Sequence, residues 1–128
     1  MRLLLDTHIG LWALTADKRL SAEARALIGD PDNLVYISVV SVWEIAIKHG
    51  LGRASIPFSG ADAVRYFAEA GYEWLDIRPQ HAAAVETLPM LHADPFDRLL
   101  VAQALIEPLR LITHDPMVAA YTDTILLV

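Results

Sequence analysis

A chain of 128 residues with 55% hydrophobic and 20% charged residues has material for one compact core and is too apolar for intrinsic disorder. It contains no cysteine, which excludes a disulfide framework and a thiolate metal site. Its formal charge of −6 has the wrong sign for a simple phosphate-binding surface, so a nucleic-acid partner would require bound cations, or a second basic chain, to reverse the local field.

Met1-Arg2-Leu3-Leu4-Leu5 ends at Asp6, too short an apolar run for a signal peptide, and no uninterrupted run approaches the roughly 20 residues of a membrane span. These features predict a soluble, cytoplasmic chain. Leu3–Leu5 reads as a buried strand, and Thr7–Thr15 as a helix with His8, Leu11, Trp12 and Thr15 at helical spacing. Ser21 caps a helix through Ile28, with Glu23 in its first turn. Asp30-Pro31-Asp32-Asn33 is a turn before a second strand, Leu34–Ile37. A helix is predicted from Ser41 to about His49, closed by Gly50-Leu51-Gly52. Gly60–Ala70 follows as a helix, Trp74–Ile77 as a third strand, and Pro79 to about Leu88 as a helix. Asp94-Pro95 opens another helix, to about Glu107, before a fourth strand at Leu109–Ile112 and a fifth at Ile125–Val128. No repeat or linker interrupts residues 1–128, which predicts a single domain.

Short apolar strands alternating with helices predict an α/β fold of three layers, with a central parallel sheet of four to five strands flanked by helices. Ligands of such sheets bind beyond the carboxyl ends of the strands. Four acids fall at that edge. Asp6 follows the first strand and Asp115 the fourth, while Glu44 and Asp97 lie in the expected first turns of two helices. Each has a purely local explanation. Asp6 can cap the first helix, and Asp115-Pro116 reads as another cap or a turn. Ser41-Val42-Trp43-Glu44 fits a capping box, and Glu44 can pair with Lys48 at i+4. Asp97 favours a helix dipole behind an Asp94 cap.

Taken together, the four resist that explanation. Asp97 shares a helical stripe with Leu100, Val101 and Ala104, and Glu44 sits among Val42, Trp43, Ile45, Ala46 and Ile47, so both point toward apolar surroundings. Carboxylates crowded and half-buried repel one another unless a cation joins them. With no cysteine and no zinc-type histidine pair, the hard ions Mg²⁺ or Mn²⁺ suit the set. Such a centre suits phosphodiester hydrolysis and lets an acidic protein accept an anionic substrate.

At these residues the chain resembles the PIN-domain family, and within it the VapC-type toxins. The matching segments are Leu4-Leu5-Asp6-Thr7-His8, Ser41 through Lys48, Asp94 through Ala104, and Leu111-Ile112-Thr113-His114-Asp115, in an order and spacing that span nearly the whole chain. The resemblance implies a PIN-like fold with Asp6, Glu44, Asp97 and Asp115 as the catalytic and metal-binding quartet and Thr113 as a supporting hydroxyl. It further implies Mg²⁺- or Mn²⁺-dependent endonucleolytic cleavage of RNA, a homodimer, and inhibition by a cognate antitoxin.

Other residues carry weaker expectations. Thr7 reads as the cap of the first helix, the alternative being a hold on a metal-bound water. Lys48, Arg53 and Arg98 are the candidates for RNA phosphate, with solvated or salt-bridging roles as the alternative. His8 and His114 flank the acids and read as structural or solvated. Trp12 and Trp43 read as core or dimer contacts. Gly50 through Ser55 reads as a loop near the substrate, without the pattern of a phosphate-cradling P-loop. Competing classes are less well supported. A haloacid-dehalogenase-type phosphatase needs Asp two residues after Asp6, where His8 stands; a receiver-like module needs a Lys layout that is absent; a catalytically silent PIN-like binding module would lack some of the four acids.

Overall fold

The computed structural model describes all 128 residues, Met1–Val128. Its strands are β1 (Arg2–Leu5), β2 (Leu34–Ser38), β3 (Glu73–Leu75), β4 (Arg110–Thr113) and β5 (Leu126–Leu127). They form one sheet in the order β3-β2-β1-β4-β5, parallel throughout. The helices are α1 (Thr7–Thr15), α2 (Ala22–Gly29), α3 (Val39–Gly50), α4 (Gly60–Glu69), α5 (Pro79–Ala84), α6 (Pro95–Ile106) and α7 (Pro116–Ala119). None of them is long and apolar enough to cross a membrane.

Side chains of β1 alternate between two apolar layers, as a strand covered on both faces requires. Leu3 and Leu5 pack with Ile9, Trp12, Ile37, Ala63 and Phe67. Leu4 packs on the other face with Val40, Leu100, Val101, Leu111 and Val118. Gly10 lets α1 lie close to the sheet: a Cβ there would come within 3.1 Å of Ile37 and 3.2 Å of Phe67. From β1 the chain builds outward through β2 and β3, then returns to add β4 on the other side of β1. The strand order therefore reverses between β1 and β4, and a crevice opens beyond their carboxyl ends. Leu5 pairs with Ile112, so Asp6 and Thr113 emerge side by side at that crevice.

Among the boundaries that differ from the sequence expectation, those of α3, α5 and β4 do so for physical reasons that bear on the site. Helix α3 begins at Val39, because Ser38 rather than Ser41 caps it: Ser38 Oγ accepts from the Val40 amide at 3.0 Å and donates to Gln103 at 2.6 Å. The capping box is absent, and Glu44 lies in the second turn of α3. Helix α5 ends at Ala84 and passes through a 3₁₀ turn at Val85–Thr87. Here the Arg98 guanidinium takes the Val85 and Leu88 carbonyls that a longer helix would have used. Strand β4 runs one residue further than expected, to Thr113, which brings that hydroxyl to the sheet edge.

Candidate active site

Each of the four acids reaches the crevice on a local structure that its neighbours encode. Asp6 caps α1, its Oδ1 accepting from the Ile9 amide at 2.8 Å. Its second oxygen remains available and takes the Thr113 hydroxyl at 2.5 Å. Asp115 caps α7 in the same way, with Oδ1 on the Met117 amide at 2.8 Å and Oδ2 turned to the crevice. Asp97 lies in the first turn of α6 behind the Asp94 cap, which accepts from the Phe96 and Asp97 amides. Capping and a place in the cluster are thus compatible, because a carboxylate has two oxygens and a cap occupies one.

Glu44 is held differently. It is 2% exposed, accepts a hydrogen bond from Thr7 Oγ1 at 2.6 Å, and makes an ion pair with Lys48 one turn further along α3. Thr7 Oγ1 also lies 3.0 Å from the buried Ser41 hydroxyl. Thr7 is therefore not the cap of α1; Asp6 is, and the Thr7 hydroxyl instead ties α1 to α3.

A fifth residue joins the cluster. His92 Nε2 stands 3.0 Å from Asp97 Oδ2 and 3.0 Å from Asp115 Oδ2. The Asp94 amide donates to His92 Nδ1 at 3.3 Å, which leaves the ring proton on Nε2, facing the two carboxylates. Sequence reasoning passed over His92 because it lies in an irregular segment without periodicity; its place two residues before the Asp94 cap was the available signal. Tyr121 fixes the segment by accepting from the His92 amide at 3.0 Å.

The electrostatics are those of a crowded acidic cluster. Burial raises the Asp6 carboxyl above its ordinary value against the opposing pull of the Thr113 hydroxyl and the Ile9 amide. Asp97 is pushed up to about 7, first by burial and then by the charges of Asp94, Glu44 and Asp6, with His92 acting in the opposite direction. Ligand atoms of His92, Asp97 and Asp115 lie within 4.8 Å of one another. Oxygen donors held together against their own repulsion form a set that fits a divalent cation, while the His92 Nε2–H donates to two of them.

The three proposed phosphate contacts stand differently. Lys48 is committed to Glu44. Arg53 is exposed in the turn after α3 and makes no ion pair. Arg98 departs from the expectation: it is 7% exposed, and its guanidinium donates to the Pro89 and Val85 carbonyls and to Tyr121 Oη at 3.0–3.1 Å. The carbonyls of Val85, Leu88 and Pro89 and the Tyr121 hydroxyl occupy that side chain, so it serves to fold the segment that carries His92.

The PIN-domain family model matches residues 3–123, nearly the whole chain. This chain belongs to the PIN-domain family. Among its relatives, the ribonuclease VapC22 of Mycobacterium tuberculosis is 31% identical over 113 residues, covering 88% of this chain and 85% of that one. The same PIN fold occurs in VapBC2 of Rickettsia felis, solved bound to a DNA fragment from its promoter, with a TM-score of 0.69 and 17% identity over 100% of this chain and 98% of that one. VapBC-1 of nontypeable Haemophilus influenzae matches with a TM-score of 0.63 and 17% identity, over 100% and 97% of the respective chains. In this PIN domain the acids stand at the reversal point of the parallel sheet, where the topology alone would place a ligand.

Proposed function

We propose that this PIN domain is a Mg²⁺- or Mn²⁺-dependent endoribonuclease that acts in the cytoplasm as the toxin of a toxin–antitoxin pair. The observation that carries the reading is the convergence of Asp6, Glu44, Asp97 and Asp115 at one crevice, with two of their carboxyls raised, in a relative of a ribonuclease. Asp6, Asp97 and Asp115 are the residues that would hold the cation, with Glu44 behind them. Bound there, the cation supplies an activated water and offsets charge on the phosphate. The protein's own groups prepare that site. Thr113 Oγ1 favours the ionised form of Asp6 and, by accepting from the Asp115 amide at 3.1 Å, ties the two acids together. His92 spans Asp97 and Asp115 and restrains both carboxylates. Thr7 and Lys48 fix the Glu44 side chain in place.

The expected partner is an antitoxin. Trp43, Ile47 and Leu51 repeat at every fourth residue of α3 and its end, and are 49%, 46% and 65% exposed. Trp43 packs edge-on to Phe96, one residue from Asp97, so this apolar stripe borders the acid cluster. An apolar anchor on the stripe followed by an Arg or Lys tail over the carboxylates would cover both. A homodimer would cover further apolar surface, such as Leu105 at 48% exposure. The test is cleavage of RNA by purified protein in Mg²⁺ or Mn²⁺ and its loss in excess EDTA and in Asp6→Asn. Undiminished cleavage in EDTA overturns the metal-dependent reading.

A further inference from the structure

Beside the acid cluster lies a recess of about 400 Å³ that shares Asp6 and Asp115 with it. Its other walls are His8, Trp12, Arg19, His114 and Pro116. We propose that this recess is a nucleotide subsite, in which a base of single-stranded RNA packs against His8 and His114 while Arg19 takes a phosphate adjoining the cleaved bond. The proposal rests on the ribonuclease reading and assigns the strand a path across it.

The chemistry of the walls selects the ligand. Trp12 is almost buried and backs the two imidazoles, with His8 6.0 Å from it in a tilted arrangement and His114 5.4 Å from it edge-on. Bases stack on such planar rings with little dependence on sequence. The His114 ring is fixed by donating from Nδ1 to the Val128 main-chain oxygen at 2.7 Å. Trp12 and Pro116 add apolar wall surface against which the face of a base can lie.

Arg19 is built into place. Its Nε and Nη2 donate to the two oxygens of Asp17 at 3.1 and 2.8 Å, and its guanidinium lies over the Trp12 ring at 5.1 Å. Nη1 makes no hydrogen bond, which leaves one planar donor edge for an anion. Lys48 is occupied by Glu44 and Arg98 is buried, so Arg19 is the cation that shares a recess with the acids. A smaller depression of about 200 Å³ continues past Arg19 to Ala54, Ser55 and Pro57, room for the strand to run on.

The test compares the full chain with Arg19→Gln and His114→Gln, with Arg65→Gln on the outer face of α4 as control. Binding of a short fluorescein-labelled single-stranded RNA is measured in the Asp97→Asn background with Mg²⁺, where cleavage is not expected. Arg19→Gln should weaken binding on the order of ten-fold and reduce the slope of log K against log salt by about 0.7, the loss of one phosphate contact. In the cleaving background it should raise KM with little effect on kcat, and His114→Gln should change the base preferred next to the cut. Arg65→Gln should behave as wild type. Wild-type affinity, salt slope and cut preference in both variants, each shown folded by its melt, overturn the subsite even if the wild type cleaves RNA. If the wild type cleaves nothing, yet RNA binding still depends on Arg19 with the reduced salt slope, the subsite stands and the ribonuclease reading falls. Failure of RNA to compete with a basic peptide that does require Arg19 would assign the recess to a protein partner and overturn the proposal.

Discussion

Replacing Asp97 with asparagine should stabilise the metal-free protein at alkaline pH, although it removes a charge from a helix N-terminus. Burial and the neighbouring carboxylates raise Asp97 from 3.8 to about 7. At about 1.4 kcal/mol per tenfold change in proton activity, ionising this group in the folded chain costs up to about 4 kcal/mol relative to the unfolded chain. The sign follows from proton uptake. Between pH 3.8 and about 7 the folded chain holds a proton on Asp97 that the unfolded chain has lost. This group's stabilisation is therefore full at low pH and is lost as pH rises through about 7. The amide of the Asp97→Asn variant never ionises and escapes that loss, but gives up about 0.3–1 kcal/mol of favourable helix-dipole interaction. A net gain of about 1–3 kcal/mol is expected at pH 8 in EDTA, or roughly 3–9 °C in Tm for a domain of this size. Near pH 5 the gain should fall to less than half of its pH 8 value, and it should vanish only below about pH 3.8. Mg²⁺ should then raise the wild-type Tm at pH 8 through preferential binding to the folded state, and raise the variant's much less. Thermal melts of both proteins from pH 5 to 8.5, in EDTA and in Mg²⁺, make the measurement. A variant that melts below wild type at pH 8 in EDTA and gains as much from Mg²⁺ would show that Asp97 is only a helix-dipole residue, and the cluster argument would fail.

Thr113→Val removes the hydroxyl that favours ionised Asp6, so the Asp6 pKa should rise further and the acidic limb of the cleavage–pH profile should move to higher pH; an unmoved limb would count against that role. His92→Ala removes a group that lowers the Asp97 pKa, so in EDTA its stability should fall more steeply than wild type as pH rises toward 8, as read by denaturant midpoints across pH. Arg98→Ala strands several buried carbonyls and should cost about 2–4 kcal/mol in urea unfolding, while the salt slope of RNA binding by the protein that remains folded should not change. Ala16 ends α1 at φ 51°, in the left-handed region, so Ala16→Gly should raise stability by about 0.5–1 kcal/mol in the same assay.

The local signals in the chain were sufficient for the parallel three-layer fold, for its five strands and first six helices in order, and for Asp6 and Asp115 just after strands and Asp97 in a first helical turn. Caps act over two or three residues, and buried parallel strands are short apolar runs, so both are written in adjacent positions. Asp94-Pro95 starts α6 where its neighbours alone place it, whereas Asp115-Pro116, which reads locally as a cap or turn, opens the short α7. Contacts between distant segments were decided by the tertiary structure. Thr113 meets Asp6 across 107 residues because β1 and β4 pair with Leu5 opposite Ile112, a register that neither strand encodes alone. The bond from Ser38 to Gln103, 65 residues away, moved the start of α3 and removed the capping box that its sequence suggested. Arg98 has the local look of a surface cation at a helix start, and only the packing of the segment around Val85–Pro89 turns it inward. His92 and Arg19 likewise gain their places from chain folding. One bridges acids that the sheet brings together, and the other lies over a tryptophan that lines the same recess. Side chains acquire such partners only when separate elements close on one another, because the energy of each contact belongs to the pair and not to either sequence neighbourhood.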